Sequence, residues 1–337
     1  MIAESGNRIE EILQQYGIGK HWQAVREESG MNNTTRMVYA GVDKYVLRIY
    51  DNHRDSDIVK IEHVILQELQ GAGLPYLIPQ PVPNLSNETV TRAADGKLGA
   101  LYHYIEGERP TANNCRHVEG LGRASGLLVK ALKHTVIPVQ PLIEPYYECE
   151  QTHAAMTDVI MEDLACQSPE LEGRLRQLDF LADQRQRLKE RNPSFAVLPQ
   201  QWIHGDIGFT NALAQGDRIS GLLDFEFCTR DAAVMELAVV LADFPGVTEE
   251  TSLNQIMLFC RGFGTAMKFS EEELELLPEL IKLRMMDVFL HFAGRYTQGL
   301  DPYPVWEQQI TRAAFVCQWI DRCEDKLGRL LRQYLFE

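Results

Sequence analysis

With 337 residues, 45% hydrophobic and 24% charged, the chain is long enough for two core-bearing units or one bilobal unit, and its composition is ordinary for a globular protein. A formal net charge of −15, with no polybasic run and no basic-aromatic stripe, argues against nucleic acid or an anionic membrane as the main partner. Seven scattered cysteines without a Cys-x-x-Cys pair argue against a disulfide framework or zinc module, and no apolar run reaches the roughly 18 residues of a membrane span, so a cytoplasmic location is expected.

Ile9, Ile12, Leu13 and Tyr16 recur at helical spacing over residues 7–16 and stop at Gly17, which predicts a short helix. Residues 37–39 and 45–50 flank a turn at Gly41-Val42-Asp43 and predict a hairpin. Helical period returns over 57–70 through Ile58, Ile61, Ile65, Leu66 and Leu69. An extended segment punctuated by Pro79, Pro81 and Pro83 leads to two more strands, 89–92 and 99–105, around an Asp95-Gly96 turn. Beyond Gly107-Glu108-Arg109-Pro110 the pattern is mostly helical, at 116–133, at 153–191 with breaks, and through most of the chain after 225. Between these helices, 200–225 reads as loop, short strand, a turn at Gln215-Gly216-Asp217 and a second short strand. Ser270-Glu271-Glu272-Glu273 is a capping box opening a helix over 274–291. The expected fold class is α+β and bilobal. Residues 1–105 are expected to form a small antiparallel β lobe, 106–113 a hinge, and 114–337 a large, mostly helical lobe. Such a junction is a preferred place for a ligand.

The richest segment is His204-Gly-Asp-Ile-Gly-Phe-Thr-Asn211, followed by a hydrophobic run over 219–223 and then Asp224-Phe225-Glu226. An acid five residues before an amide on one loop, with a second acid closing a short hairpin, is how kinase-fold enzymes handle ATP and Mg²⁺. Asp206 then accepts the proton of an attacking hydroxyl, while Asn211 and Asp224 hold the metal. His204 braces the loop, since the transfer needs no histidine. A bare carboxylate at Asp224, after a buried strand, is costly unless it is paired or metal-bound. Glu226 reads equally as a second metal contact or a salt-bridge partner.

Together with Met235-Glu236-Leu237-Ala238, these motifs resemble the aminoglycoside phosphotransferase and choline kinase superfamily, within it most closely the bacterial members grouped with type II homoserine kinases. The resemblance covers nearly the whole chain in order, and the His-Gly-Asp start separates it from protein kinases. It implies a protein-kinase-like fold and phosphorylation of a small-molecule alcohol with ATP and Mg²⁺. It implies the same roles for Asp206, Asn211 and Asp224. The stretch from Ser29 to Thr35 resembles the family's phosphate-covering loop, so Asn32, Asn33 and Thr34 are expected to meet phosphate oxygens. The family's phosphate-binding lysine falls on Arg48, with Glu62 the expected ion-pair partner and Glu68 the fallback. The adenine-contacting hinge falls on 104–106, including Tyr104 and Ile105. Glu236 stands where the family usually has Asp.

Residues such as Arg284, Asp287, His291, Arg295, Tyr296 and Trp306 are candidates for the substrate wall. The leading expectation is a kinase acting on homoserine or a related amino alcohol, with aminoglycosides, choline or ethanolamine, and sugar-like alcohols as alternatives. Arg48, a single-glycine phosphate loop and Glu236 support a rival, a nucleotide-binding kinase fold that has lost catalysis.

Overall fold

The computed structural model describes residues 2–19, 21–26, 33–50, 56–167 and 169–337. Helix α1 (Ile2–Leu13) precedes strands β1 (Gln23–Arg26), β2 (Asn33–Ala40) and β3 (Asp43–Tyr50). Helix α2 (Ser56–Leu69) follows, then β4 (Thr91–Arg92) and β5 (Leu98–His103). The strands form one antiparallel sheet in the order β1-β2-β3-β5-β4. Strand alternation splits β3 between two cores, as period two dictates. Leu47 and Ile49 pack with Val38, Leu101 and the α1 residues Ile12, Leu13 and Tyr16. Tyr50 faces the opposite way, with Ala100, Tyr102 and the α2 residues Val59, Ile65, Leu66 and Leu69. The β2–β3 hairpin closes on Gly41, whose φ of 65° suits a residue without Cβ.

The helical lobe begins with α3 (Cys115–His134), which Asn114 caps by accepting from the Arg116 N–H. Next come α4 (Cys149–Thr152), α5 (Asp158–Gln167) and α6 (Leu175–Ala196). Strands β6 (Gln200–Ile203), β7 (Ala212–Gln215), β8 (Arg218–Leu222) and β9 (Thr229–Ala232) pair as β6–β9 and β7–β8. Helices α7 (Met235–Leu241), α8 (Glu249–Phe263), α9 (Glu271–Thr297) and α10 (Tyr303–Leu335) complete the chain. Among the described residues, no helix is long and apolar enough to cross a membrane.

Helices α3 and α8 meet backbone to backbone. A Cβ on Gly122 would lie 2.1 Å from the Phe259 carbonyl oxygen, and one on Gly262 would lie 2.0 Å from that of Glu119. Only glycine permits that approach. The capping box at Ser270 forms as expected, with Glu273 answering the Ser270 N–H. The breaks expected within 153–191 include a turn of 3₁₀ helix, Pro169–Arg174, between α5 and α6. Two features differ. Strand β5 stops at His103, two residues early. Strand β9 was not expected, because its sequence, Thr-Arg-Asp-Ala, alternates too little apolar character to stand out from loop.

Candidate active site

The loop after β6 is held as a backbone object. Glu236, fully buried on α7, accepts hydrogen bonds from the His204 N–H and, at 3.1 Å, from the Gly205 N–H. Burial pushes the Glu236 carboxyl up to about 8, and the two amide donors only partly oppose this. Tyr146 donates to the Gly205 carbonyl at 2.6 Å. Gly205 has φ 79°, and a Cβ there would lie 2.8 Å from the Phe227 carbonyl oxygen, which accounts for Gly where an arginine would open His-Arg-Asp. His204 accepts the Asp206 N–H on Nδ1 at 3.2 Å, so Nε2 carries the proton that reaches the Leu223 carbonyl at 3.0 Å. Burial pulls its pKa down to about 4, consistent with a neutral brace.

Asp206 projects from this loop into the cleft. Asn211 Nδ2 donates to the Asp206 carbonyl and to Oδ2, both at 2.8 Å. Arg284 on α9 donates to Oδ1 at 2.9 Å. Burial raises the Asp206 pKa to about 6, against the pull of Arg284 and with help from the Asp224 and Asp243 charges. Arg284 also donates to Tyr146 OH at 2.9 Å and lies 3.4 Å from Asp287, which His153 contacts at 2.8 Å.

On the facing lobe, Arg48 reaches Asp224 at 2.6 Å and Glu62 at 3.5 Å, with Glu226 at 4.0 Å. Burial opposes its charge, but these three acids and Tyr50 hold its pKa well above the usual arginine value. Glu62, rather than the exposed Glu68, meets Arg48. Burial drives Glu62 up to about 7, the Arg48 charge resisting. Behind it runs a buried hydrogen-bond chain. Tyr50 donates to Glu62 at 3.1 Å and shares a 2.8 Å contact with the Tyr102 hydroxyl. His63 joins Tyr102 at 2.8 Å and Thr89 at 2.7 Å. With Tyr50 donating to Glu62, Tyr102 donates to Tyr50 and His63 Nε2–H to Tyr102. Thr89 then donates to Nδ1.

Asp206, Asn211, Asp224, Arg48 and Glu62 are thus brought together at the junction of the lobes. Asp224 itself has φ 69°, a left-handed conformation unusual for a residue with a side chain. The phosphate-loop expectation divides. Asn32 lies outside the described residues, and Asn33 opens β2 opposite Tyr50. Thr34 is not brought to the site, because it pairs with Ile49 on the α1 face of the sheet. Thr35 is the residue opposite Arg48. In the hinge, Tyr104 donates its N–H to the Lys44 carbonyl at 3.2 Å, and the Ile105 N–H and carbonyl make no backbone hydrogen bond among the described residues. Trp306, expected on the substrate wall, is fully buried and stacked with Phe289 and Tyr296. Arg295 pairs with Asp301 at 2.5 Å beyond the α9 terminus. Sequence reading missed Tyr146, Tyr50, Tyr102 and Asp243, none of which carries a local motif.

A five-stranded lobe, a connecting segment, and a helical lobe carrying both acid-bearing loops define a kinase-like phosphotransferase fold. The family model described as "Phosphotransferase enzyme family" matches residues 24–269; the chain belongs to that family and is a small-molecule kinase with a hydroxyl acceptor. A homoserine kinase of Methylobacillus glycogenes is 22% identical over 340 residues, covering 95% of this chain and 98% of its own. Among solved structures, a microcompartment-associated aminopropanol kinase superposes with a TM-score of 0.69 at 16% identity, covering 96% of this chain and 98% of its own. An amicoumacin kinase, solved with AMP-PNP and Ca²⁺, gives a TM-score of 0.66 at 16% identity, covering 97% and 96% respectively.

Proposed function

We propose that the chain transfers the γ-phosphoryl group of ATP, with Mg²⁺, to the hydroxyl of homoserine or a related amino alcohol. The observation that carries this reading is the convergence of Asp206, Asn211 and Asp224 opposite Arg48. The donor set fits a hard divalent cation. The Asn211 amide nitrogen is spent on Asp206, while its side-chain oxygen takes no hydrogen bond among the described residues. Arg48 takes only Oδ1 of Asp224 among the described residues, leaving the second oxygen. Asn211 and Asp224 would hold the ion, which supplies neutralisation of phosphate charge when bound.

The rest of the chemistry belongs to the chain. Asp206, partly shielded and with its pKa raised toward neutrality, orients the acceptor hydroxyl and takes its proton as the oxygen attacks. Asn211 donates to one Asp206 oxygen and Arg284 to the other. Arg48 offers a planar fork to phosphate oxygens, a role arginine can fill in place of lysine. The Ile105 N–H and carbonyl, without a backbone hydrogen bond among the described residues, suit the edge of a purine. The aminopropanol kinase and the homoserine kinase relatives support a small amino alcohol as acceptor, and the amicoumacin kinase solved with AMP-PNP supports a nucleotide donor.

The test is thermal stabilisation by ATP with and without Mg²⁺, followed by ADP release across amino alcohols, aminoglycosides and sugars. Mg²⁺-dependent stabilisation with turnover of an amino alcohol is expected. Absence of ATP binding would overturn the reading, and binding without turnover of any alcohol would leave only a nucleotide-binding protein.

A further inference from the structure

Arg284 stands in an unusual place for an enzyme whose acceptor is an amino alcohol. Its guanidinium donates to the same carboxylate that takes the acceptor's proton, at 2.9 Å, and its side chain is 21% exposed in the cleft. Tyr146 braces it through a hydroxyl contact at 2.9 Å and a ring 5.5 Å away. A small substrate bound with its hydroxyl on Asp206 must place its next functional group beside this fixed cation. An ammonium there meets repulsion, whereas a carboxylate meets a planar fork with matched geometry.

A second acid lies beside the same loop, within reach of the Arg284 and Arg312 charges. Asp243, just beyond α7, is exposed, and a Cβ on Gly208 would lie 3.5 Å from its Oδ2. Its charge acts on both Asp206 and Arg284. Arg312 pins the local backbone, donating to the carbonyls of Ala242 at 2.8 Å and Asp243 at 3.0 Å. No hydrogen bond reaches the Asp243 carboxylate among the described residues. Asp287, the other nearby acid, is already engaged by His153 and Arg284.

We propose that Arg284 and Asp243 form a zwitterion clamp beside Asp206, Arg284 taking the substrate's carboxylate and Asp243 its ammonium. The enzyme thereby selects a hydroxy amino acid over an amino alcohol that lacks the carboxylate. This rests on the phosphotransfer reading above and narrows its substrate class. A carboxylate on Arg284 competes for the guanidinium that otherwise occupies Asp206, so the right substrate frees its own base. A substrate without the carboxylate therefore loses kcat as well as apparent affinity.

Three acceptors sharing one hydroxyl and spacing test this with ATP and Mg²⁺: homoserine, 3-aminopropan-1-ol (carboxylate removed) and 4-hydroxybutanoate (amine removed). The unmodified protein should show kcat/KM for homoserine at least about 100-fold above 3-aminopropan-1-ol, the scale of discrimination a built polar site provides. Arg284→Gln should compress that ratio below about tenfold, with Arg284→Lys retaining part of it. Asp243→Asn should compress the homoserine to 4-hydroxybutanoate ratio. Each ratio is read within one protein, so a reduced folded fraction cancels. Equal or better use of 3-aminopropan-1-ol by the unmodified protein, or an unchanged ratio in Arg284→Gln, overturns the clamp while leaving a kinase. Transfer only to alcohols without a carboxylate does the same. Failure to bind or cleave ATP with every acceptor overturns the wider reading as well.

Discussion

The two lobes each present an arginine clasping an aspartate, yet they hold these pairs in opposite ways. In the β lobe a side chain is positioned by side chains. Arg48 is surrounded by Asp224, Glu62 and Glu226, and Glu62 is backed by the Tyr50–Tyr102–His63–Thr89 chain. In the helical lobe a backbone loop is positioned by side chains. Glu236 and Tyr146 grip the main chain at His204 and Gly205, and Asp206 follows from the loop's path. The difference teaches where each site is vulnerable. Damage in the β lobe should shift charge and affinity by degrees, while damage to the Glu236 clamp should misplace the loop and cost stability.

The sharpest test of this contrast is Asp206→Asn, which on the proposed reading lowers kcat by about 10²–10⁴-fold with ATP-induced thermal stabilisation retained. Turnover near the unmodified rate would remove Asp206 from its role. Next is Glu236→Ala, which strands two buried amides and should cost on the order of 2–4 kcal/mol, read from denaturant midpoints. A milder variant, Glu236→Gln, tests the pH dependence. The folded pKa of Glu236 is raised to about 8, so folding favours its protonated form. Its contribution to stability is full below the ordinary carboxylate range and is lost as pH rises through about 8. Between about pH 5 and 8, unmodified protein should therefore lose more stability than Glu236→Gln does. Equal slopes would refute the buried-acid account.

A smaller effect is expected in the β lobe. Arg48→Ala should raise the KM for ATP roughly 10–100-fold, the worth of one charge-assisted contact, whereas Arg48→Lys should stay within about tenfold of unmodified protein. Similar losses for both would make the arginine fork, rather than the charge, the essential feature. The smallest change should come from Tyr102→Phe, which removes one hydroxyl from the buried chain. It should cost about 1–2 kcal/mol in chemical denaturation while moving KM by less than about threefold. A tenfold loss in kcat instead would give the chain a role beyond bracing Glu62.

Much of the site was legible because its parts are local. Asp206 and Asn211 sit on one loop at fixed spacing, Asp224 closes the adjacent hairpin, and Arg48 falls where the resemblance implies the phosphate-binding lysine. The antiparallel lobe and the helical lobe were legible from period alone. What could not be read was contact at a distance. Arg284 lies 78 positions from Asp206, and nothing in an amphipathic helix says which of its polar residues turns toward the cleft. The same ambiguity put Trp306 on the substrate wall when its helix turns it into the core. Thr34 and Thr35 differ by one step of register, which hydrophobic pattern does not resolve at a strand's first residues.

The Arg48–Asp224 pair has a mechanical meaning beyond its charge. It runs from β3 to the loop after β8, and so acts as a strap between the two lobes. Both ends of that strap are groups that the proposed ligands would claim, phosphate at one and the metal at the other. On the proposed reading ligand replaces the direct bridge between the lobes with a longer one, running from Arg48 through phosphate and metal to Asp224. Raising the ionic strength would loosen the strap only in part, since the arginine end is shielded from solvent.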